Sequence, residues 1–198
     1  MTAILQSLGR TIAAGVVLLI IIIVLSGLLS GHFITIDHNW SAFFMRYLHV
    51  LSGVMWIGLL WYLNFVQTPA MPTIEPAEHR AAITKFIAPR VMFWFRYGAL
   101  STVITGLLLA SMNGYLAEAL TLRNGHTAIG IGMWLALIMA FNVWFIIWPN
   151  QKKILGIVEA SADEKARAGR IGLIASRTNT LLSIPMLFCM VAQQNAGL

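Results

Sequence analysis

Acidic side chains are scarce in this chain, with seven Asp and Glu among 198 residues. All of them (Asp37, Glu75, Glu78, Glu118, Glu159, Asp163 and Glu164) stand in or beside the polar connections. No carboxylate pair lies inside an apolar run to share a proton, complete a metal site or couple transport, and no internal repeat supports a transporter. No nucleophile or general base can be assigned. Cysteine is scarcer still: Cys189 alone excludes an intramolecular disulfide, a cysteine zinc cluster and the CxxCH attachment of a c-type haem. Charged residues make up 10% of the chain against 59% hydrophobic, which excludes an ordinary soluble domain. The net charge of +6 lies between apolar runs, where it sets topology, so nucleic acid is not an expected partner.

Apolar sequence is what the chain has in abundance. Five runs, at about 8–29, 43–66, 91–112, 126–148 and 171–191, each approach the roughly 20 residues that cross a bilayer core. The expected fold is all-α and integral to the membrane, a five-transmembrane-helix bundle forming a single domain over 1–198, with the lipid bilayer as its first partner. The first run is too long for a signal-peptide core and lacks a small-x-small cleavage site, so it reads as an uncleaved, lipid-facing span. TPAMPTIEPAEHRAAITKFIAPR reads as an interfacial helix starting near Pro76. QKKILGIVEASADEKARAGR reads as an extension of the fourth span beyond a kink at Pro149.

Basic residues are distributed asymmetrically. Arg10, Arg80, Lys85, Arg90, Arg96, Lys152, Lys153, Lys165, Arg167, Arg170 and Arg177 fall on one side of the expected bundle, and only Arg46 and Arg123 on the other. The positive-inside rule makes the N-terminus cytoplasmic and the C-terminus periplasmic. His32, His38, His49 and His126 then lie on the outer side, and His79 inside.

The second run carries the most informative residue. In RYLHVLSGVMWIGLLWYLNFVQ, His49 sits well inside apolar sequence, where an imidazole is costly and points to function. At about 100° per residue, Ser52, Gly53, Trp56, Leu60 and Asn64 share its face, as expected of a residue turned towards other helices. His126 opens the fourth span from the same outer side. Two imidazoles on different helices suit axial ligation of a b-type haem, which needs no cysteine. Gly53, Gly58, Gly130 and Gly132 leave room for a flat ligand or a close helix. Arg46 and Arg123, one turn outward from each histidine, suit two propionates. The expected cofactor site is therefore His49, His126, Arg46, Arg123 and Gly53, with both histidines on the iron. Plainer readings stand beside this one. His49 can bond a neighbouring helix, and His126, after Asn124 and Gly125, can be a helix cap. His32 and His38 read as loop residues, and Asn64, Asn113 and Asn142 read as bonds across helices.

RYLHVLSGVMWIGLLWYLNF, WFRYGALSTVITGLLL, GHTAIGIGMWLALIMAFNVWFIIWPNQKK and NTLLSIPMLFCM resemble, in order and spacing, the membrane domain of the PuuD-type urate hydroxylases. The similarity runs over roughly Trp40 to Gln193, with LHVLSGVMWIG and FNVWFIIWPNQ its most specific blocks. The resemblance implies a multi-span domain of a bacterial inner membrane, histidines at His49 and His126, and urate oxidation that delivers electrons to the respiratory chain through a C-terminal cytochrome c domain. This chain has no CxxCH, so the expected acceptor is a separate cytochrome c or a membrane oxidoreductase subunit. It also reads Thr178 where the resemblance implies a histidine before Asn179. The expected function is a haem b-binding membrane redox protein, urate-hydroxylase-like. The alternative is a non-catalytic structural subunit of a larger membrane complex, whose mark would be stoichiometric partners and no chromophore.

Overall fold

A computed structural model describes residues 2–123 and 125–195; Asn124, two residues before His126, lies outside them. The described residues are helical, without strands, and five helices are long and apolar enough to cross a membrane. The chain forms two compact units, Met1–Phe43 and Phe44–Leu198.

In the first unit, α1 (Leu8–Ser30) follows a short helical turn, Thr2–Leu5. Gly31, at φ +70°, closes α1 in the left-handed conformation that glycine adopts without a Cβ penalty. The Phe33 ring folds back onto Gly27, where a Cβ would stand 2.7 Å from it. Gly27 is the one buried residue of α1. Its aliphatic side chains, Ile20 to Ile23 among them, are exposed, as suits contact with lipid.

α2 (His38–Thr73) begins in the first unit and continues into the second, which also holds α3 (Glu78–Met112), the short α4 (Leu116–Leu120), α5 (Thr127–Ile154) and α6 (Ala162–Asn195). These helices run well past the apolar segments, for a physical reason. Proline lacks an amide hydrogen, and its ring collides with the carbonyl four residues back. Pro69, Pro89 and Pro149 each follow a π-helical segment, Tyr62–Gln67, Ile83–Ile87 and Asn142–Ile147 respectively. The wider π turn moves the obstructing carbonyl aside, and the helix continues. The expected interfacial helix near Pro76 is thus the first part of α3. The expected extension of the fourth span ends at Ile154. The acidic segment beyond it belongs to α6, which opens on a reciprocal cap: the Ser161 amide donates to Glu164 Oε2 at 2.8 Å, and the Glu164 amide to Ser161 Oγ at 3.2 Å.

The second unit is packed around Trp56, Leu60, Phe95, Met139 and Val143, all fully buried. α2 and α3 cross at Gly98, where a Cβ would lie 3.3 Å from the Trp56 backbone nitrogen. α5 and α6 cross at Gly132, whose Cβ would lie 3.1 Å from Cys189 Cβ. On α6, Ser176, Asn179 and Ser183 tie the bundle together. Asn64 Nδ2 donates to Ser176 Oγ at 2.8 Å, Trp61 Nε1 to Ser183 Oγ at 3.1 Å, and Asn142 Nδ2 to Asn179 Oδ1 at 2.9 Å. Asn179 Nδ2 in turn donates to the Met139 carbonyl at 2.9 Å. Asn64 and Asn142 bond across helices as expected, whereas Asn113 donates to the Leu109 carbonyl of its own helix. Arg96 packs its guanidinium 3.3 Å from the Trp148 ring centroid, fixing α3 to α5.

Interhelical side-chain bonds of this kind contribute about 0.6 kcal/mol each, reaching about 1.7 kcal/mol in the best cases. Asn179→Leu removes two bonds and leaves the Asn142 amide without an acceptor, so a loss of about 1–2 kcal/mol is expected. Equilibrium unfolding in mixed detergent measures it, and an unchanged midpoint would show that this polar contact does not hold α5 to α6.

Candidate functional site

The crossing of α2 and α3 at Trp56 and Gly98 sets the register of everything outward of it. Seven residues before Trp56, two turns along α2, stands His49; eight residues after Gly98 on the antiparallel α3 stands Gly106. The two meet. A Cβ on Gly106 would lie 2.8 Å from His49 Cε1 and 3.1 Å from Nδ1, so the imidazole occupies the space that any larger residue would fill. His49 Nδ1 lies 2.9 Å from the Thr102 carbonyl and 3.3 Å from Thr105 Oγ1. A carbonyl only accepts, so Nδ1 carries the hydrogen, and Nε2 is the nitrogen whose lone pair a ligated metal would use. Nε2 makes no hydrogen bond among the described residues. A ring held at Nδ1 by a backbone carbonyl, with Nε2 free, is the usual posture of an imidazole that ligates a metal.

His49 lies on the wall of a cavity of about 580 Å³ inside the second unit. That volume is typical of cofactor and small-ligand sites. α2 contributes Arg46, His49, Gly53 and Trp56, and α3 contributes Thr102 and Gly106; Met133 of α5 and Met186 and Met190 of α6 face them. The wall is mostly hydrocarbon. The face read from helical periodicity is therefore the inward face of α2, with Trp56 and Leu60 wholly buried.

The expected site residues divide into two groups. Arg46, His49 and Gly53 share the cavity wall. Arg46 is half-buried, and its Nε has no hydrogen-bond partner. His126 and Arg123 are not on that wall. His126 continues the inward row of α5 (Ile129, Met133, Ala136) one turn further out, but it stands at the N-cap position of α5 without a side-chain cap bond, and Tyr115 packs against it. The Tyr115 ring lines the cavity and stacks on His126 with centroids 5.2 Å apart. His126 Nδ1 is buried without a partner, and Arg123 is exposed. Nothing in the sequence marks Tyr115, because the short α4 that positions it is set by local contact: Gly130 of α5 packs directly against the Ala119 carbonyl. Gly106, Thr102 and the methionines were also not singled out from sequence. Their signal, one small residue and several thioethers in apolar helices, is common to ordinary packing. Of the glycines expected to allow close approach, Gly130 and Gly132 do so, while Gly58 has nothing within 4 Å of its Cβ position. Thr178 is exposed on the side of α6, its hydroxyl donating to the Ile174 carbonyl at 3.0 Å. The position assigned to a histidine by resemblance therefore faces away from the buried Asn179 beside it. Among the described residues no group of three His, Cys, Asp or Glu side chains is placed to hold a bare metal ion.

Tyr115, in the connection between the spanning helices, gives the site a pH dependence. Burial pushes its hydroxyl above the usual tyrosine range, opposed by the positive charge of Arg46. A group whose proton is held more tightly in the folded state stabilises the fold below its unfolded pKa, about 10 for tyrosine, and that contribution is lost as pH rises through the higher folded value. The melting temperature should therefore fall above about pH 10, and less steeply in Tyr115→Phe. Superimposable pH curves for the two proteins would contradict this.

No curated protein and no solved structure matches the chain. Residues 118–196 match the family model described as urate oxidase N-terminal. The matched segment includes α5 and α6, the wall that faces His49, and marks the chain as similar to the N-terminal membrane domain of the urate oxidases.

Proposed function

We propose that the chain is a urate-oxidase-like membrane redox protein whose cavity holds haem b through His49. The observation that carries the proposal is the His49 imidazole, anchored at Nδ1 by the Thr102 carbonyl and free at Nε2 on the wall of a 580 Å³ cavity. The residues present fit the group. The cavity is large and apolar, one imidazole nitrogen is available as an axial ligand, and Arg46 stands on the same wall with an unpartnered Nε as a counter-charge for a propionate. The haem supplies one-electron chemistry when bound.

The chain's own residues have separate tasks. Thr102 fixes the tautomer of His49 and the direction of its Nε2 lone pair; Gly106 gives the ring its place; the hydrocarbon wall surrounds the site with apolar groups, and the polarity around a haem is one of the protein's controls over its potential. The excess of basic residues on one side supports a cytoplasmic N-terminus, a periplasmic C-terminus and a location in a bacterial inner membrane. The electron acceptor would be a separate cytochrome c or a membrane oxidoreductase subunit. The family match over 118–196 supports urate as the substrate. Absorption spectra of the purified full chain after haem-replete expression, oxidised and dithionite-reduced, test the proposal: a Soret band and a b-type alpha band are expected, and their absence would overturn it.

A further inference from the structure

His126 is not on the wall that carries His49, but three thioethers are, and two of them also border a second, smaller space. Met133 of α5 and Met190 of α6 line the main cavity and also a small hollow of about 30 Å³ against the His49 ring. The rest of that hollow is almost wholly hydrocarbon, from Val103, Leu107 and Leu137 among others. The one hydroxyl there, on Thr102, already donates to the Gly98 carbonyl at 2.7 Å. A buried water needs two to four polar partners, and the hollow does not offer them. What it brings together is a histidine of α2, a methionine of α5 and a methionine of α6, three soft or nitrogen donors contributed by different helices. Imidazole with a thioether is one of the axial pairs that haem iron takes, and compared with two imidazoles it raises the reduction potential.

We propose that a haem held by His49 takes its second axial ligand from a methionine thioether, Met133 or Met190, and not from His126; this rests on the haem reading above. The chain would then hold its haem at a higher potential than a bis-histidine site and accept an electron more readily. His126 would then serve only as the packing partner of Tyr115 at the start of α5.

The test uses the purified full chain loaded with haem b, in detergent. Met→Leu is close to volume-conserving and is tolerated well in packed cores, so Met133→Leu, Met190→Leu and the double variant should fold. The wild type is expected to show the near-infrared charge-transfer band of ferric thioether-ligated haem. One of the single variants should lose that band, bind carbon monoxide in the reduced state and have a lower midpoint potential, while His126→Ala keeps the wild-type spectrum. A band and potential unchanged in the double Met→Leu variant, or a low-spin spectrum that collapses in His126→Ala, would overturn the inference while leaving the haem reading intact. A wild type without a Soret band would overturn both.

Discussion

His49→Ala is expected to lower haem occupancy of the purified protein about tenfold or more, with the bundle still folded. The size follows from position. Outer-shell groups that only orient a ligand are worth about 10–100-fold in metal affinity, and His49 is the group they orient. The Thr102 carbonyl would lose its Nδ1–H donor but stays within its own helix's hydrogen-bond ladder. The new space opens onto a cavity that already exists, so the structural cost is small compared with truncation in a filled core. The measurement is the ratio of Soret to protein absorbance, with melting temperature recorded alongside. Occupancy equal to wild type would remove His49 as the ligand. A structural histidine that only bonds α2 to α3 would instead show a lower melting temperature without a chromophore effect.

Gly106→Val should have the next largest effect. A Cβ at 106 already meets His49 Cε1 at 2.8 Å, and valine adds two more carbons. The imidazole must swing away, and in doing so it breaks its bond to the Thr102 carbonyl and turns Nε2 off its line. Overpacking of this kind costs about 1–3 kcal/mol, and losing the orienting bond should weaken haem binding about 10–100-fold. Gly169→Ala is the control: nothing lies within 4 Å of its Cβ position, so stability should hold or rise slightly through better helix propensity. Haem titration and thermal unfolding of the two variants side by side measure both effects. Equal haem affinity in Gly106→Val and wild type would show that the ring's place beside Gly106 does not matter to the site.

The inward face of α2 was legible in the sequence because helical periodicity is a local property. His49, Trp56, Leu60 and Asn64 fall on one stripe, and the fold buries Trp56 and Leu60 and bonds Asn64 to Ser176. Helix ends were less legible. Proline normally stops a helix, and nothing in TPAMP or IAPR says that a π turn will carry the chain past it. The cap at Ser161 and Glu164 was present as S-x-x-E, but in a charged segment between two spans it fits the end of one helix as well as the start of the next. The partner of His49 depends on a non-local register. Gly98 and Trp56 decide which residue of α3 meets the imidazole, and neither residue names the other in the sequence. His126 illustrates the same limit. It lies in the inward row of α5, as the pattern suggests, yet the row meets the cavity only from Ile129 inward, and His126 stacks on the Tyr115 ring instead.

The central claim is that the cavity beside His49 holds a planar iron cofactor. A density map of the purified, haem-replete protein between the second and fourth spanning helices, α2 and α5, tests it most directly. A flat feature is expected in the 580 Å³ cavity, with its metal bonded to His49 Nε2 and one edge near Arg46. A cavity filled only by lipid or water, or a haem bound elsewhere on the chain, would contradict it.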